Sequence, residues 1–288
     1  MGVELSAGRL RGELTDFVGR RAELALIRKA LGTARLVTLT GPGGIGKTRL
    51  ALQTAEGARR AFRDGACLAE LGGLRDPALL VPEVARSLGL SDQPGQWALA
   101  TLSDYLQARR MLLVLDQCEH LADACAVMAD TLLRACPGLR IIATSRHVLR
   151  VTGEVTLTVP PMTVPSGPAS TEELLGYEAV RLFVSRAAAV LPGFIVDASN
   201  GAAVVGICRA LDGIPLALEL AAVRLRSSQC PGQGLTCNAA RGRRTTRRRP
   251  RGGPPRSQDQ LWIWPDGPSA GDRPDVVRPR QGIGGEQA

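Results

Sequence analysis

The chain has 288 residues, 44% apolar but only 3% aromatic, enough for one large or two modest globular domains with cores of Leu, Val, Ala and Ile. Its formal charge is +9, but residues from Ser228 onward hold eleven Arg, five acidic side chains and no Lys, leaving only +3 on the first 227; the basic character is a property of the C-terminal stretch and does not make the rest a polyanion binder. No apolar stretch reaches membrane-spanning length and the N-terminus lacks a signal-peptide pattern, and seven cysteines with no C-x-x-C pair and no His at zinc spacing fit reduced, buried thiols, so a cytoplasmic protein is expected.

In chain order, Leu24, Ile27 and Leu31 mark one face of a first helix. RLVTLT (35–40) is a β-rich run ending at glycine, and TRLALQTAEGARRAF (48–62) spaces Leu50, Ala51, Ala55, Ala58 and Phe62 as a helix does. GACLAEL (65–71) predicts a second strand and PALLVPEVARSLGL (77–90) a helix. RMLLVLD (110–116) and LRIIATS (139–145) are near-continuous apolar runs, the mark of strands buried on both faces. Between them LADACAVMADTLLRAC (121–136) reads as a helix stopped by Pro137-Gly138, and EVTLTV (154–159) alternates like a last strand. Strand and helix in alternation predict a parallel sheet flanked by helices, the α/β class. After the Pro-rich VPPMTVPSGP (159–168) the strand signal stops, and 172–190, 198–211 and 214–226 read as a small helical bundle. The expected organisation is an N-terminal segment 1–14, an α/β core 15–160, a helical subdomain 161–226 and an unfolded tail 227–288.

Between the first strand and its helix, Gly41-Pro42-Gly43-Gly44-Ile45-Gly46-Lys47-Thr48 fits G-x-x-x-x-G-K-[ST] at every fixed position. Glycines let the backbone turn successive N–H groups toward a phosphate, and the helix beginning near Lys47 adds its positive end. Lys47 is expected on the β- and γ-phosphates and Thr48 on Mg²⁺, with the following Arg49 at the edge of the same site. A glycine-rich strand-to-helix turn without a ligand is the bland alternative.

Topology adds a second group, because ligands of open parallel sheets gather outside the carboxyl ends of the strands. Asp116 ends MLLVLD and Arg146 follows LRIIATS, so both emerge on the edge that carries the glycine loop. Asp116 suits Mg²⁺, alone or through a water, against the alternative of a helix N-cap. Arg146 suits a γ-phosphate, against that of a surface arginine. Glu119 fits either a group orienting the attacking water or a solvated first-turn glutamate; His120 reads as a packing residue.

FVGRRAEL (17–24), GPGGIGKTRLA (41–51), LLVLDQCEHL (112–121), IIATSRHVLRVTGE (141–154) and GIPLALELAA (213–222) stand in an order that resembles the STAND-type P-loop ATPases, in particular the NB-ARC-like modules of large bacterial transcriptional regulators of LuxR-type or AfsR-like kind. The resemblance spans about residues 15–226. It implies ATP or ADP with Mg²⁺, a nucleotide-driven switch with slow hydrolysis, self-association when ATP-bound, and DNA contact only through other domains. It further implies that Phe17, Val18, Gly19 and Arg20 lie against adenine and ribose, that the segment with Pro215 closes over the nucleotide, and that Arg146 senses the γ-phosphate. Gln117 stands where these regulators carry Asn or Asp, which bears on hydrolysis.

From 228 to 288, Arg, Gly and Pro make up 29 of 61 residues, while the whole chain has only two Lys, Lys29 and Lys47. That bias fits GC-rich DNA read in another frame from about codon 227, in place of the family's continuation into further domains. Its rival is a disordered arm on nucleic acid, centred on RGRRTTRRRPRGGPPR (241–256). A small-molecule phosphotransferase is the remaining alternative for the α/β core.

Overall fold

The computed structural model describes residues 16–90, 98–167 and 169–225. The N-terminal segment 1–14 and the tail 227–288, with both readings of its arginine run, lie outside the described residues.

Helix α1 (Arg21–Thr33) leads into β1 (Leu36–Thr40), and the glycine loop joins β1 to α2 (Lys47–Ala58). There follow β2 (Ala66–Glu70), α3 (Leu80–Ser87), α4 (Leu99–Gln107), β3 (Leu112–Asp116), α5 (Ala122–Ala135), β4 (Arg140–Ser145) and β5 (Glu154–Thr158). All pairings are parallel, in the order β2-β3-β4-β1-β5. Because successive strand residues point to opposite faces, each strand feeds two cores. Leu113, Leu115, Ile141 and Ala143 pack with Leu80, Val84, Leu102, Leu106 and Leu132 on one side. Val37, Leu39, Val114 and Ile142 pack with Ile27, Leu31, Leu50 and Ala55 on the other. This is a three-layer sandwich of helices about a parallel sheet.

The strands β1, β3 and β4 are central and β2 and β5 are the edges. Their burial follows: β1 and β3 are buried throughout, whereas β5 has no fully buried residue. At the opposite edge of the sheet from the glycine loop, helices end and leave carbonyls unpaired. Arginines meet them: Arg35 Nη1 donates to Leu133 O at 2.5 Å, Arg140 Nη1 to Ala34 O at 2.6 Å and Arg63 Nη2 to Ala108 O at 3.1 Å. Cations at helix C-termini also complement the macrodipole, so part of the chain's arginine content has a structural use there.

The remaining helices are α6 (Thr171–Leu174), α7 (Glu178–Val190), α8 (Gly201–Ala210) and α9 (Pro215–Arg224). They bury a separate cluster that includes Met162, Leu182, Phe183, Val204, Cys208 and Leu218. The rings of Phe183 and Phe194 meet edge-on at 6.2 Å. Gly213 has φ +63, and a Cβ there would stand 2.3 Å from the Met162 carbonyl oxygen; only glycine permits the approach that starts α9.

Two expectations need correction and one helix is unanticipated. The helix expected over 172–190 is two, because Ser170 and Glu173 form a capping box that starts α6 and Tyr177 is extended before α7. The stretch 77–90 opens as a 3-10 turn over Pro77–Leu79, and α3 ends ahead of Gly89 at φ +74. Helix α4 carries no expectation at all, although Leu102 and Leu106 are buried. Among the described residues no helix is long and apolar enough to cross a membrane, and Cys67, Cys118, Cys125, Cys136 and Cys208 are buried free thiols.

Candidate functional site

The loop from Gly41 to Gly46 needs backbone conformations closed to most side chains: Gly41, Gly44 and Gly46 have φ of +147, +75 and +97. Ile45 anchors the loop from below, fully buried in the core. No side chain caps α2, whose N-cap is Gly46, so its positive end faces the loop's concavity without an acidic neighbour in the first turn. Lys47 Nζ donates to Gly41 O at 2.8 Å and to Pro42 O at 3.0 Å. Burial holds its pKa below the ordinary range, while the nearby Glu119 carboxylate opposes that and the Arg146 guanidinium adds to it.

Asp116 is 3% exposed at the end of β3. Its Oδ1 accepts from Thr48 Oγ1 at 2.7 Å and from Thr144 Oγ1 at 2.5 Å, and Oδ2 lies 3.5 Å from Gln117 Nε2. A carboxylate this deep is costly without such partners. Asp116 caps no helix: Gln117 intervenes at φ 62, and a 3-10 turn (Cys118–His120) follows. Thr48 and Asp116, expected to share Mg²⁺, therefore touch directly, and hydroxyl plus carboxylate is the hard-oxygen set that this ion takes.

Arg146 and Glu119 also meet, with Nε 3.5 Å from Oε1. The Arg146 guanidinium is close enough to Gly43 that a Cβ there would sit 3.6 Å from Nη2. Glu119 Oε2 is buried and has no hydrogen-bond partner, a polar group whose satisfaction requires something further. His120 instead bonds the Leu71 carbonyl at 2.9 Å, in keeping with a packing residue. Arg146 and Glu119 line a cleft of roughly 360 Å³ together with Gly43, Gly44, Gly46, Lys47, Thr48, Gln117 and Thr144, roofed by Pro215, Leu216 and Glu219.

The segment Phe17-Val18-Gly19-Arg20 does not line that cleft. Phe17, Val18 and Arg20 line a cavity of only about 20 Å³ with Ile45, Gly46, Arg49 and Pro215, room for about one water. Arg20 (φ 60) is buried, its guanidinium donating to Pro160 O, Ile45 O and Glu23. Its backbone N–H donates to Glu178 at 2.6 Å, and a Cβ on Gly19 would meet the same carboxylate. Arg49 pairs with Glu219 at 3.2 Å. The structure thus gathers Lys47, Thr48, Glu119, Arg146 and Pro215 about one cleft, with Asp116 bonded to Thr48, and sets Phe17, Val18 and Arg20 about a small pocket beside it.

Sequence reasoning places Leu216 only within the segment expected to close over the nucleotide, and does not single out Glu219 or Arg186. Leu216 N–H donates to Gly44 O at 3.2 Å, and its side chain packs where a Cβ on Gly44 would be. Nothing in an apolar helix motif reveals which of its residues faces a loop 170 positions earlier.

Residues 28–152 match the family described as AAA domain. A Mycobacterium tuberculosis protein named provisionally as HTH-type transcriptional regulator Rv0890c is 47% identical over 201 residues, covering 70% of this chain and 21% of that one. The regulatory protein AfsR of Streptomyces griseus is 31% identical over 155 residues, covering 49% of this chain and 15% of that one. The chain thus spans about a fifth or less of the length of these relatives. Among solved structures, the Walker-type ATPase paby2304 of Pyrococcus abyssi superposes with a TM-score of 0.50 at 17% identity, covering 73% of this chain and 68% of that one, which supports the fold. The chain has the parallel-sheet fold of P-loop NTPases, its residues 28–152 resemble the AAA domain family, and it is similar to proteins named as bacterial transcriptional regulators.

Proposed function

We propose that the cleft binds ATP or ADP with Mg²⁺ and that the protein is the nucleotide-switch module of a STAND-type, NB-ARC-like transcriptional regulator. The observation that carries this reading is the direct Thr48–Asp116 contact beneath a glycine loop whose helix N-terminus has no side-chain cap. The unpartnered Glu119 Oε2 in the same cleft supports it.

On this reading Lys47 exchanges its two loop carbonyls for phosphate oxygens, and the first-turn N–H groups of α2 hold the phosphates from below. Thr48 and Asp116 hold Mg²⁺, which when bound neutralises phosphate charge. Arg146 leaves Glu119 for the terminal phosphate, and Glu119, so released, accepts a proton from water placed at that phosphate. Gln117 belongs to the same cradle: its backbone N–H donates to Thr144 Oγ1 and its side-chain amide lies toward Asp116. Phe17, Val18, Arg20 and Pro215 receive the base once the small cavity they enclose is widened. The helical subdomain 161–226 acts as the lid of the core 15–160, assembly accompanies the triphosphate state, and DNA is recognised by domains other than these.

Equilibrium binding of MgADP and MgATPγS to wild-type and Lys47→Ala protein tests the site. A loss of affinity of about a hundredfold is expected, the worth of charge-assisted bonds to phosphate. Unchanged affinity refutes the assignment.

A further inference from the structure

Among the described residues, one carboxylate links the roof of the cleft to two other helices. Glu219 Oε1, on α9, lies 3.2 Å from Arg49 Nη1 on the glycine-loop helix and 2.9 Å from Arg186 Nε on α7. Both guanidiniums also reach the Asp16 carbonyl, Arg186 at 3.0 Å and Arg49 at 3.5 Å. The Arg186 side chain is 11% exposed and Glu219 and Arg49 only partly so, which screens the cluster less than a surface pair. One turn earlier on α9, Leu216 N–H holds Gly44 O at 3.2 Å. Glu219 lines the same cleft as Lys47 and Thr48, where polyphosphate charge would be concentrated.

We infer that Glu219 is a resident counter-anion and latch: it neutralises Arg49 while the cleft lacks phosphate, and the phosphates of a bound nucleotide displace it, releasing α9 from the glycine-loop helix. The inference rests on the nucleotide reading given above. The physical basis is competition between anions. A nucleotide carries several negative charges beside a carboxylate held by the guanidinium it could itself use, and like charges at short range repel. Arg186 stays with α7 and cannot follow Arg49, so the three-way bond must lose one arm. Pro215 borders both the cleft and the small cavity with Phe17 and Arg20, so movement of the start of α9 widens the side that must receive the base.

Two measurements on the full chain separate this from the nucleotide reading. Without nucleotide, amide hydrogen exchange of α9 is expected to quicken about fivefold in Glu219→Gln and in Arg186→Gln, a coupling at the low end of the usual range; α5 amides are expected to stay at wild-type rates, showing that the fold is kept. Unchanged α9 exchange overturns the latch, whatever binds in the cleft. With MgATPγS, Glu219→Gln is expected to bind about fivefold more tightly than wild type, and the gain is expected to vanish in an Arg49→Gln background. A gain that persists without Arg49 overturns the competition. Quickened exchange in a protein that binds neither MgADP nor MgATPγS supports the mechanical latch and refutes the nucleotide reading.

Discussion

Thr144→Val offers a sharp stability test of the carboxylate cradle. Thr144 is fully buried, donates its hydroxyl to Asp116 Oδ1 at 2.5 Å and accepts the Gln117 N–H at 2.9 Å. Valine keeps the shape and removes both bonds. Loss of a hydrogen bond to a charged group is worth about 1.5–3 kcal/mol, and an orphaned N–H about 1–3 kcal/mol. The two share one hydroxyl and do not add fully, and the new methyl returns roughly 0.8 kcal/mol by burial. A net loss of about 3 kcal/mol is expected, a large part of the ~5–15 kcal/mol that holds a domain folded. Urea unfolding followed by far-UV circular dichroism reads this directly as a midpoint lower by about 1 M. Thr144→Ser restores the hydroxyl and is expected within about 1 kcal/mol of wild type. A Thr144→Val protein within about 0.5 kcal/mol of wild type, or a serine variant as damaged as the valine one, refutes the reasoning.

Gly213→Ala forces a methyl against the Met162 carbonyl at φ +63; a loss of at least about 2 kcal/mol is expected, read as a lowered Tm, and an unchanged Tm contradicts the packing of α9. Gln117→Asn places at φ 62 a residue that adopts left-handed backbone more readily, so a gain of about 0.5–1 kcal/mol in urea is expected, and a loss would show that the Gln117 amide contact matters more than the backbone. Burial lowers the Lys47 pKa below its ordinary 10.5, so between the folded value and 10.5 the unfolded chain holds a proton that the folded one lacks. Without nucleotide, this group's stabilising contribution is complete above 10.5, is lost as pH falls through the folded value, and disappears in Lys47→Met; stability curves of the two proteins that run parallel across that window contradict it.

How much of this could be read from the residues alone depends on the range of the interactions. RMLLVLD and LRIIATS declare buried strands because β3 and β4 are central and have no solvent face to mark with polar residues. The glycine loop is legible because its backbone conformations admit few other residues. Asp116 and Arg146 follow from topology, since the last residue of β3 and the one just after β4 must emerge at the sheet's carboxyl edge. Helix α4 is hard to read because its buried face places Ser103 beside Leu102 and Leu106. The break between α6 and α7 does have a local signal, Gly176, whose N–H closes the end of α6 on Glu173 O, but the apolar spacing continues across it. Glu219 is illegible for a different reason: its partners lie 170 and 33 positions away, and a glutamate within an apolar helix has the same local signature whether it faces solvent or two arginines. Phe17 to Arg20 are easily marked as a segment, but the closure of the space they share with Pro215 is a matter of tertiary packing.

The central claim is that the Gly41–Thr48 loop cradles the phosphates of a nucleotide. A crystal structure of the chain with MgATPγS tests it most directly. The account expects the β- and γ-phosphates on the N–H groups of Gly44, Gly46, Lys47 and Thr48, with Lys47 Nζ turned from Gly41 O to phosphate and Mg²⁺ beside Thr48 and Asp116. A nucleotide seated elsewhere, or a loop in which Lys47 keeps its bonds to Gly41 and Pro42 at saturating nucleotide, would contradict it.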